Sequence, residues 1–525
     1  MLRSITFLNI ILLISSVGNA GFRKQPYLIY TGDNTQMKVA YQLHESESCS
    51  IQWGIDSSSL SDSMATIEYG NDHQHAPVLT GLNPGTRYYY EVVIDDTLHT
   101  GSFFSAPDTN ETTIDFFAYG DTRSYPNDHN TIAGLIVDEY STDSSLQSLI
   151  LSVGDLVALG DNESDWDDDF FNPDYPNIIT MLANLPYQAC MGNHEQSGVL
   201  FKKYFPYPFV NQRYWSFDYG PAHFVIIDQY TSYSSGSAQL TWIANDLSSS
   251  SKPWKFMILH APGWSAGGHS NNISVQEYLQ PLCEQHNVQI VFGGHNHYYA
   301  RAEVNNVIHI TTGGGGAPIY SPSPSYPFIV ATAAINHYCK IDIDNNLLNF
   351  NVIDRNGNII DDFHINSFGI KPLNVTLSSS FMQLGGDSLL LLTEVINPVE
   401  HSLHVHAHIN DWGSTYADSI ELLDDGAHFD GEAGDGVWGN YLGPVSFEDG
   451  YSVDIAITDL DADMYFISPN MVQFTTIGPL VVEDYYFYGS DTIPNHGDSS
   501  LKMKLIIRNE GLIASATNVS ATLTA

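Results

Sequence analysis

The stretch Phe292-Gly293-Gly294-His295-Asn296-His297 follows a short apolar run, residues 288–292, of the kind that forms a buried strand. The two glycines let the chain turn sharply where this strand ends, so both imidazoles can project from its carboxyl edge. Two histidines one residue apart on such an edge can reach two different metal ions. A His-x-His pair is a weak signal by itself, and two solvated loop histidines are the alternative interpretation.

Four further polar motifs precede this one, and each closely follows a strand-like run. In chain order they are Gly120-Asp121-Thr122-Arg123, Gly154-Asp155, Gly192-Asn193-His194-Glu195 and Leu259-His260-Ala261-Pro262. A single Gly-Asp after a strand is usually an ordinary turn. Five such motifs in one alternating region predict instead that their polar side chains meet along one rim of a sheet.

The region that carries the motifs alternates strand-like and helix-like segments from Thr113 onward. Strands are predicted at residues 114–119, 149–153, 187–191, 224–228 and 256–259, and helices at 131–140, 178–185, 238–247 and 275–285. Runs of β type at 307–311, 338–343 and 347–353 close this domain near residue 368. The alternation predicts stacked α/β layers.

The flanking segments are β-rich, and a chain of 525 residues is too long for one core, so we expect a multidomain protein. Residues 22–106 predict a β-sandwich, with strands at 36–43, 50–53 and 88–93. Residues 372–476 predict an all-β, Ig-like module. Its acidic, glycine-rich stretch at 424–436 is interpreted as turns, with a calcium loop as the alternative. Residues 479–525 predict the start of a further β module, short for a complete sandwich.

The first 20 residues have the pattern of a signal peptide. Arg3 is followed by a mostly apolar run from Ile5 to Ile14 and by small residues at positions 18–20 that suit cleavage. The run is too short for a comfortable membrane span, so no transmembrane segment is expected. The pattern predicts a secreted, periplasmic or cell-surface protein, and a buried N-terminal strand is the alternative.

Charge and cysteine content narrow the classes of partner. Lys and Arg number 18 against 60 Asp and Glu, a net charge of −42. The negative electrostatic field of such a chain repels phosphate backbones and anionic lipid, which argues against a nucleic-acid groove. The four cysteines, Cys49, Cys190, Cys283 and Cys339, form no CxxC motif. At most two disulfides could form, and free buried thiols are at least as good an interpretation.

The motifs supply six side chains suited to binding metal, namely Asp121, Asp155, Asn193, His260, His295 and His297. This mixture of oxygen and nitrogen donors suits zinc, manganese or iron and differs from the thiolate sets of structural zinc sites. One carboxylate can bridge two cations about 3.5 to 4 Å apart, a spacing that suits in-line displacement at phosphorus. We therefore infer a hydrolase with two divalent metal ions.

The ordered motifs resemble those of the calcineurin-like metallophosphoesterases, and most closely the purple acid phosphatase branch. The resemblance covers roughly residues 25–365, and the turn at 79–86 followed by Tyr88-Tyr89-Tyr90 is similar to the fibronectin-like domain of that branch. It implies a four-layer α/β catalytic domain, at residues 112–368, with the metal site at the strand ends.

By position, the resemblance implies that Asp121 and His297 hold the first metal, that Asp155 bridges, and that Asn193, His260 and His295 hold the second. It also implies roles for three residues that do not bind metal. His194 would face the phosphoryl group as a general acid or charge stabiliser. His269 looks like a substrate-facing histidine, with a solvated loop histidine as the alternative. Arg123 can hold phosphate oxygens, with a surface ion pair as the alternative.

The chain departs from the purple acid phosphatase pattern at Ala158, where that branch places a metal-binding tyrosine. Without a phenolate ligand we expect no tyrosinate-to-iron charge-transfer colour. The first metal also has fewer protein ligands, which leaves zinc, manganese and ferrous iron open.

These patterns predict an exported enzyme that hydrolyses phosphate esters through a hydroxide bound by two metals, as an acid phosphatase does. A phosphodiesterase or nucleotidase of the same superfamily is one alternative, because the motifs concern the metals and not the leaving group. A non-catalytic surface binding protein is another. The C-terminal β modules could serve as spacers, carbohydrate contacts or cell-surface attachments.

Overall fold

The structure, a computed structural model, describes residues 21–70, 72–94, 97–384, 388–412, 417–478, 480–488 and 502–509. The predicted signal peptide lies outside the described residues, as does most of the 479–525 segment. The chain divides into two compact units, Met1–Asp362 and Phe363–Ala525. Within the described part of the chain, no helix is both long enough and apolar enough to cross a bilayer.

The N-terminal part of the first unit is a sandwich of two antiparallel sheets. One sheet has the order β1-β2-β6-β5, with β7 beside β2, and the other has the order β4-β3-β8-β9. The strands are β1 Phe22–Ile29, β2 Gln36–Leu43, β3 Cys49–Gly54, β4 Asp62–Ala65, β5 Glu68–Tyr69, β6 Gln74–His75, β7 Val78–Thr80, β8 Arg87–Ile94 and β9 Thr97–Phe104. Alternate residues of β8, among them Tyr90 and Val92, are buried in the core between the sheets, as expected for a strand with one face on the core.

Two larger sheets form the centre of the first unit. The first has the order β12-β11-β10-β20-β21-β22 and the second the order β13-β14-β15-β16-β18-β17-β19. Their strands are β10 Thr113–Tyr119, β11 Leu149–Ser152, β12 Tyr187–Ala189, β13 Trp215–Tyr219, β14 Ala222–Ile226, β15 Trp254–Ile258, β16 Ile290–Gly293, β17 Tyr299–Val304, β18 Val307–Thr312, β19 Ile329–Ala333, β20 His337–Asp344, β21 Leu347–Asp354 and β22 Ile359–Asn366. Strands β10, β11 and β12 run parallel to one another, as do β14, β15, β16 and β18.

Helices connect these strands and cover the outer faces of the sheets. They are α1 Pro126–Thr142, α2 Glu163–Asp165, α3 Pro176–Asn184, α4 Val199–Tyr204, α5 Ala238–Ser249 and α6 Gln280–Gln285. A 3₁₀ turn lies at Ser144–Leu146, and π-helical turns lie at Trp166–Phe170 and Val275–Leu279. Helix α1 begins before the predicted 131–140 range, because Pro126 favours the first turn of a helix, where no N–H partner is needed.

The core of this region lies between the two sheets and is rich in phenylalanine. The ring of Phe116 on β10 lies 5.4 Å from the rings of Phe224 and Phe256 on the opposing sheet. Phe292 on β16 stacks on Phe350 of β21 at 6.1 Å. Burying such rings is the main source of stability for stacked sheets. The result is the four-layer α/β arrangement that the resemblance implies, in agreement with the α/β layers predicted from the strand and helix alternation.

Buried polar contacts join the sandwich to the α/β region within the first unit. The amine of Lys24 is buried and lies 2.9 Å from Glu163 Oε1 and 2.8 Å from Gln42 Oε1. Tyr90 Oη donates to the carbonyl of Ala183 at 2.8 Å. Because a buried ammonium is stable only with partners, these contacts fix the sandwich against the region around α2 and α3.

The second unit consists of strands. Its sheets have the orders β23-β25-β28, β24-β30-β29-β26-β27 and β31-β32. The strands are β23 Lys371–Leu377, β24 Phe381–Gln383, β25 Leu389–Ile396, β26 Leu403–Asp411, β27 Ala417–Leu422, β28 Val437–Leu442, β29 Gly450–Asp459, β30 Met464–Ile477, β31 Leu480–Tyr488 and β32 Lys502–Asn509. This unit is β-rich, as predicted, while the Ig-like topology stays a prediction. In its acidic loop, Asp424 and Asp430 accept hydrogen bonds from loop backbone N–H groups.

All four cysteines are buried and unpaired. Of the two interpretations that the sequence allows, the structure therefore shows free buried thiols. In the two central sheets, strands β13, β17, β19 and β22 were not predicted. Strand β17 begins at Tyr299, two residues after the His295-Asn296-His297 motif.

A histidine clamped between two carboxylates makes the stability of the first unit depend on pH. His223 Nδ1 lies 2.7 Å from Asp218 Oδ1 and its Nε2 lies 3.0 Å from Asp246 Oδ2. Burial alone would lower the pKa of His223, but these carboxylates raise it to about 8. A raised pKa stabilises the fold fully below the unfolded value of about 6.5, and this stabilisation is lost as the pH rises through about 8.

We therefore expect His223→Gln to lower the free energy of unfolding by about 1 kcal/mol more at pH 6 than at pH 9. The expected difference is kept this small because Asp218 is exposed and water partly screens its charge. Denaturant unfolding of both proteins at the two pH values measures this difference. His44→Gln, at an exposed histidine of the first unit, is the matched control. Equal losses for His223→Gln at both pH values would contradict the prediction.

Candidate metal centre

The two aspartates of the centre lie in the turns that follow parallel strands of the first sheet. Asp121 follows β10 with a φ of 54°, and Asp155 follows β11 with a φ of 55°. Both carboxylates are buried. On the second sheet, His295 follows β16 with a φ of 65°. Positive φ is uncommon outside glycine, and such strained residues concentrate at functional sites, where the surrounding structure holds them in place.

Two groups of side chains each have ligand atoms that all lie within 4.8 Å of one another. One group is Asp155, His260 and His295, and the other is Asp121, Asp155 and His297. Asp155 belongs to both groups. The amide oxygen of Asn193 lies 3.1 Å from His260 Nε2, which places it beside the first of them. The structure thus brings together all six residues that the motifs predict as ligands.

Backbone carbonyls orient two of the histidines. Nδ1 of His260 lies 2.7 Å from the carbonyl of Val153, and Nδ1 of His297 lies 2.8 Å from the carbonyl of Pro318. A carbonyl can only accept, so each Nδ1 carries a proton, and Nε2 is the nitrogen left to bind a cation. The Nε2 atoms face the carboxylates, at 3.3 Å from Asp155 Oδ1 for His260 and 3.5 Å from Asp121 Oδ1 for His297. This is the usual arrangement of a metal-binding histidine.

Glu195 supports the turn that carries Asp155. Its buried carboxylate accepts hydrogen bonds from the backbone N–H groups of Asp155, Leu156 and Gly192, at 3.0, 2.7 and 2.6 Å. Burial and the charge of Asp155 raise the pKa of Glu195 to about 7. The Gly192-Asn193-His194-Glu195 motif contains this residue, but nothing in the sequence pattern assigns it a role.

Charges in the centre are strongly coupled in the absence of a cation. Burial, together with the charge of Asp155, raises the pKa of Asp121 to about 8, although His260 opposes the rise. Burial alone would lower the pKa of His260, but Asp155 and Asp121 raise it to about 10. Burial and the neighbouring His260 lower the pKa of His295 to about 3. A cation would take the place of these protons, so its binding should release protons and weaken at low pH.

Two glycines allow the carboxylates of the centre to lie close against the backbone. A Cβ at Gly192 would lie 2.2 Å from Asp155 Oδ1, and one at Gly294 would lie 2.2 Å from Asp121 Oδ2. Real Cβ atoms do not approach oxygens so closely, so any side chain at these positions would displace a carboxylate of the centre. This close approach explains why glycine accompanies the polar residues in both motifs.

The three predicted substrate-facing residues surround the centre. His194 Nε2 lies 3.9 Å from Asp155 Oδ2, and its Nδ1 lies 2.6 Å from the carbonyl of Ala158. The Arg123 guanidinium reaches both groups, with Nε 3.5 Å from Asp155 Oδ2 and Nη2 3.3 Å from His297 Nε2. The ring of His269 is stacked on that of His295, with centroids 3.9 Å apart. The loop carrying Ala158 therefore contributes a backbone carbonyl to His194.

One residue near the centre could not be found from the sequence. Tyr320 is stacked on His297 with ring centroids 4.3 Å apart, and its backbone N–H donates to the carbonyl of His297 at 2.9 Å. It lies in an irregular segment between β18 and β19, outside every motif. Its only sequence signal is an aromatic residue after the glycine run at 313–316.

The residues present fit a pair of divalent cations. Each group combines a carboxylate with imidazole, the donor types that zinc, manganese and iron accept. The shared position of Asp155 is what a bridging carboxylate requires. The tyrosine that the purple acid phosphatase pattern adds beside Asp121 and His297 is missing, since Ala158 stands at that position.

Comparison with known proteins agrees with the fold and with these motifs. Residues 120–299 match the calcineurin-like phosphoesterase family, and residues 24–112 match the purple acid phosphatase N-terminal domain. The central region is therefore a calcineurin-like phosphoesterase domain. With the purple acid phosphatase N-terminal domain in front of it, the chain has the domain order of purple acid phosphatase-like proteins.

Similar curated proteins include purple acid phosphatase 23 of Arabidopsis thaliana, 27% identical over 55% of this chain and 68% of that protein. Probable inactive purple acid phosphatase 9 of the same plant is 25% identical over 53% of each chain. The structure of purple acid phosphatase PPD1 from yellow lupin (Lupinus luteus) seeds is similar with a TM-score of 0.56, at 20% identity over 66% of this chain and 74% of that one. At this identity the structural match shows the fold alone.

Proposed function

We propose that this protein hydrolyses phosphate esters with two divalent metal ions that share Asp155. The observation that carries the proposal is that Asp155 belongs to both groups of closely spaced ligand atoms. Asp121 and His297 would complete the site of the first cation. Asn193, His260 and His295 would complete the site of the second.

Bound cations supply two things to such a reaction: a water acidic enough to act as the nucleophile near neutral pH, and charge to neutralise the phosphoryl oxygens. The side chains of this centre supply the preorganised geometry. The two imidazoles oriented by Val153 and Pro318 direct Nε2 inward, and Glu195 holds the Asp155 turn, so little reorganisation is needed when a substrate binds.

Arg123 and His269 would hold the phosphate ester. The Arg123 guanidinium lies beside Asp155 and His297, where it can donate to phosphoryl oxygens while the cations hold the others. It also brings positive charge to a chain whose net charge is −42. His269, exposed and stacked on His295, faces the same space.

His194 would give a proton to the leaving oxygen. Its Nδ1 proton is donated to the Ala158 carbonyl, so Nε2 is the atom that faces the centre. Protonated at Nε2, the ring can act as a general acid, and afterwards it is neutral and stabilised by the same carbonyl.

Metal analysis combined with ester hydrolysis tests the proposal directly. The purified protein should contain about two equivalents of zinc, manganese or iron, and chelation should abolish hydrolysis of a chromogenic phosphate monoester. Parallel assays with a monoester and a diester decide between phosphatase and phosphodiesterase activity. Undiminished hydrolysis by metal-free protein would refute the two-metal reaction.

Arg123→Gln should raise the KM for a phosphate monoester about 10-fold or more, because a charge-assisted hydrogen bond to phosphate is lost. Metal content should stay unchanged. Arg355→Gln is the matched control, since Arg355 forms an exposed ion pair with Asp128. A normal KM for Arg123→Gln would show that Arg123 does not hold the substrate phosphate.

We also propose that the hydrolase acts outside the cytoplasm. The proposal rests on the signal-peptide pattern of residues 1–20. N-terminal sequencing of protein purified from the culture medium, periplasm or cell envelope tests it. A mature N-terminus near residue 21 is expected, and an intact cytoplasmic N-terminus would contradict it.

A further inference from the structure

Two rings cover the metal centre on the side of the second sheet. Tyr320 is stacked on His297, with ring centroids 4.3 Å apart and planes inclined by 28°. His269 is stacked on His295, with centroids 3.9 Å apart and planes inclined by 27°. The rings of Tyr320 and His269 are themselves 5.9 Å apart. Each proposed metal group therefore carries one stacked ring, and the two rings together form a wall beside the centre.

The wall is held in place by the loops that carry it. A Cβ at Gly268 would lie 3.1 Å from Tyr320 Cδ2 and 2.7 Å from Asn296 Oδ1, so the loop before His269 packs closely against Tyr320. Tyr320 also packs against a buried cluster that includes Trp264 and Tyr298. Its backbone bond to His297 fixes its distance from the centre. The segment that follows, residues 320–328, contains three prolines, which stiffen it.

Tyr320 is nevertheless open to a ligand. The side chain is half-buried, so part of the ring is exposed beside His297. An aromatic face beside the phosphoryl position can stack on a planar group that leaves with the ester oxygen.

We propose that Tyr320 is a specificity-determining residue that selects phosphate esters with an aromatic leaving group. The proposal rests on the proposed phosphoesterase function. Tyr320 acts by stacking on the leaving group while Arg123 and the cations hold the phosphoryl oxygens. The hydroxyl of Tyr320 takes no part.

Calorimetry on the metal-loaded full chain, with phosphonates that cannot be hydrolysed, tests this role. Benzylphosphonate and cyclohexylmethylphosphonate have the same charge and nearly the same size, but only the first has an aromatic ring. The wild-type protein should bind benzylphosphonate about three- to tenfold more tightly, the range expected for one aromatic stack. Tyr320→Leu should abolish this preference, and Tyr320→Phe should retain it.

Inorganic phosphate serves as the control ligand, and its affinity should be the same in all three proteins. Equal affinities of the wild type for the two phosphonates, or a preference that persists in Tyr320→Leu, would overturn the role of Tyr320 alone. A loss of phosphate affinity in Tyr320→Leu would also overturn it, because Tyr320 would then serve to orient His297. If the wild type binds none of the three ligands, the proposed phosphoesterase function fails as well.

Discussion

Asp155→Asn should lower kcat for phosphate ester hydrolysis by about 1,000-fold or more and reduce the bound metal below two equivalents. Asparagine keeps the size of the side chain but removes the negative charge, and an amide cannot bridge two cations as a carboxylate does. Because Asp155 lies in both ligand groups, a single substitution weakens both sites. Metal analysis and steady-state kinetics on the same preparation measure the two effects.

Asp174→Asn provides the matched control, since Asp174 is an exposed aspartate of the same domain. The buried position of Asp155 makes a folding defect a real alternative cause of lost activity. Circular dichroism and thermal unfolding separate the two explanations. A folded Asp155→Asn protein with two bound metals and nearly normal turnover would show that Asp155 is not the bridging ligand.

His194→Ala should lower kcat by about 100- to 10,000-fold for an alkyl phosphate, with metal content unchanged. The loss should be much smaller for a nitrophenyl phosphate, because a good leaving group departs without a proton. This dependence on the leaving group distinguishes a general acid from a residue that only stabilises charge. It is measured by comparing kcat for the two esters in the variant and in the wild type.

His286 lies at the end of α6, and His286→Ala is the control for the loss of an imidazole. An equal loss for both esters would mean that His194 stabilises phosphoryl charge without donating a proton. A loss of bound metal would mean that the imidazole of His194 contributes to a cation site.

The layered fold could be predicted from local patterns in the sequence. The strand at residues 36–43 and the start of α5 at Ala238 agree with the structure to the residue. These segments have a clear apolar period, and Ser237 accepts a hydrogen bond at the start of α5. Prediction was weaker where tertiary contacts stabilise the element. Strand β17, for example, is defined by its pairing with β18 and β19 on either side.

The sequence by itself determined the donor types and the places in the chain where they occur, because a residue type and its position after a strand are local properties. Five polar motifs at strand ends were enough to indicate a two-cation centre.

Only the tertiary structure decided which nitrogen of His260 and His297 faces inward and that Tyr320 lies on His297. These relations depend on how two separate sheets bring their strand ends together. Distances between atoms from distant segments leave no mark on the sequence of either segment.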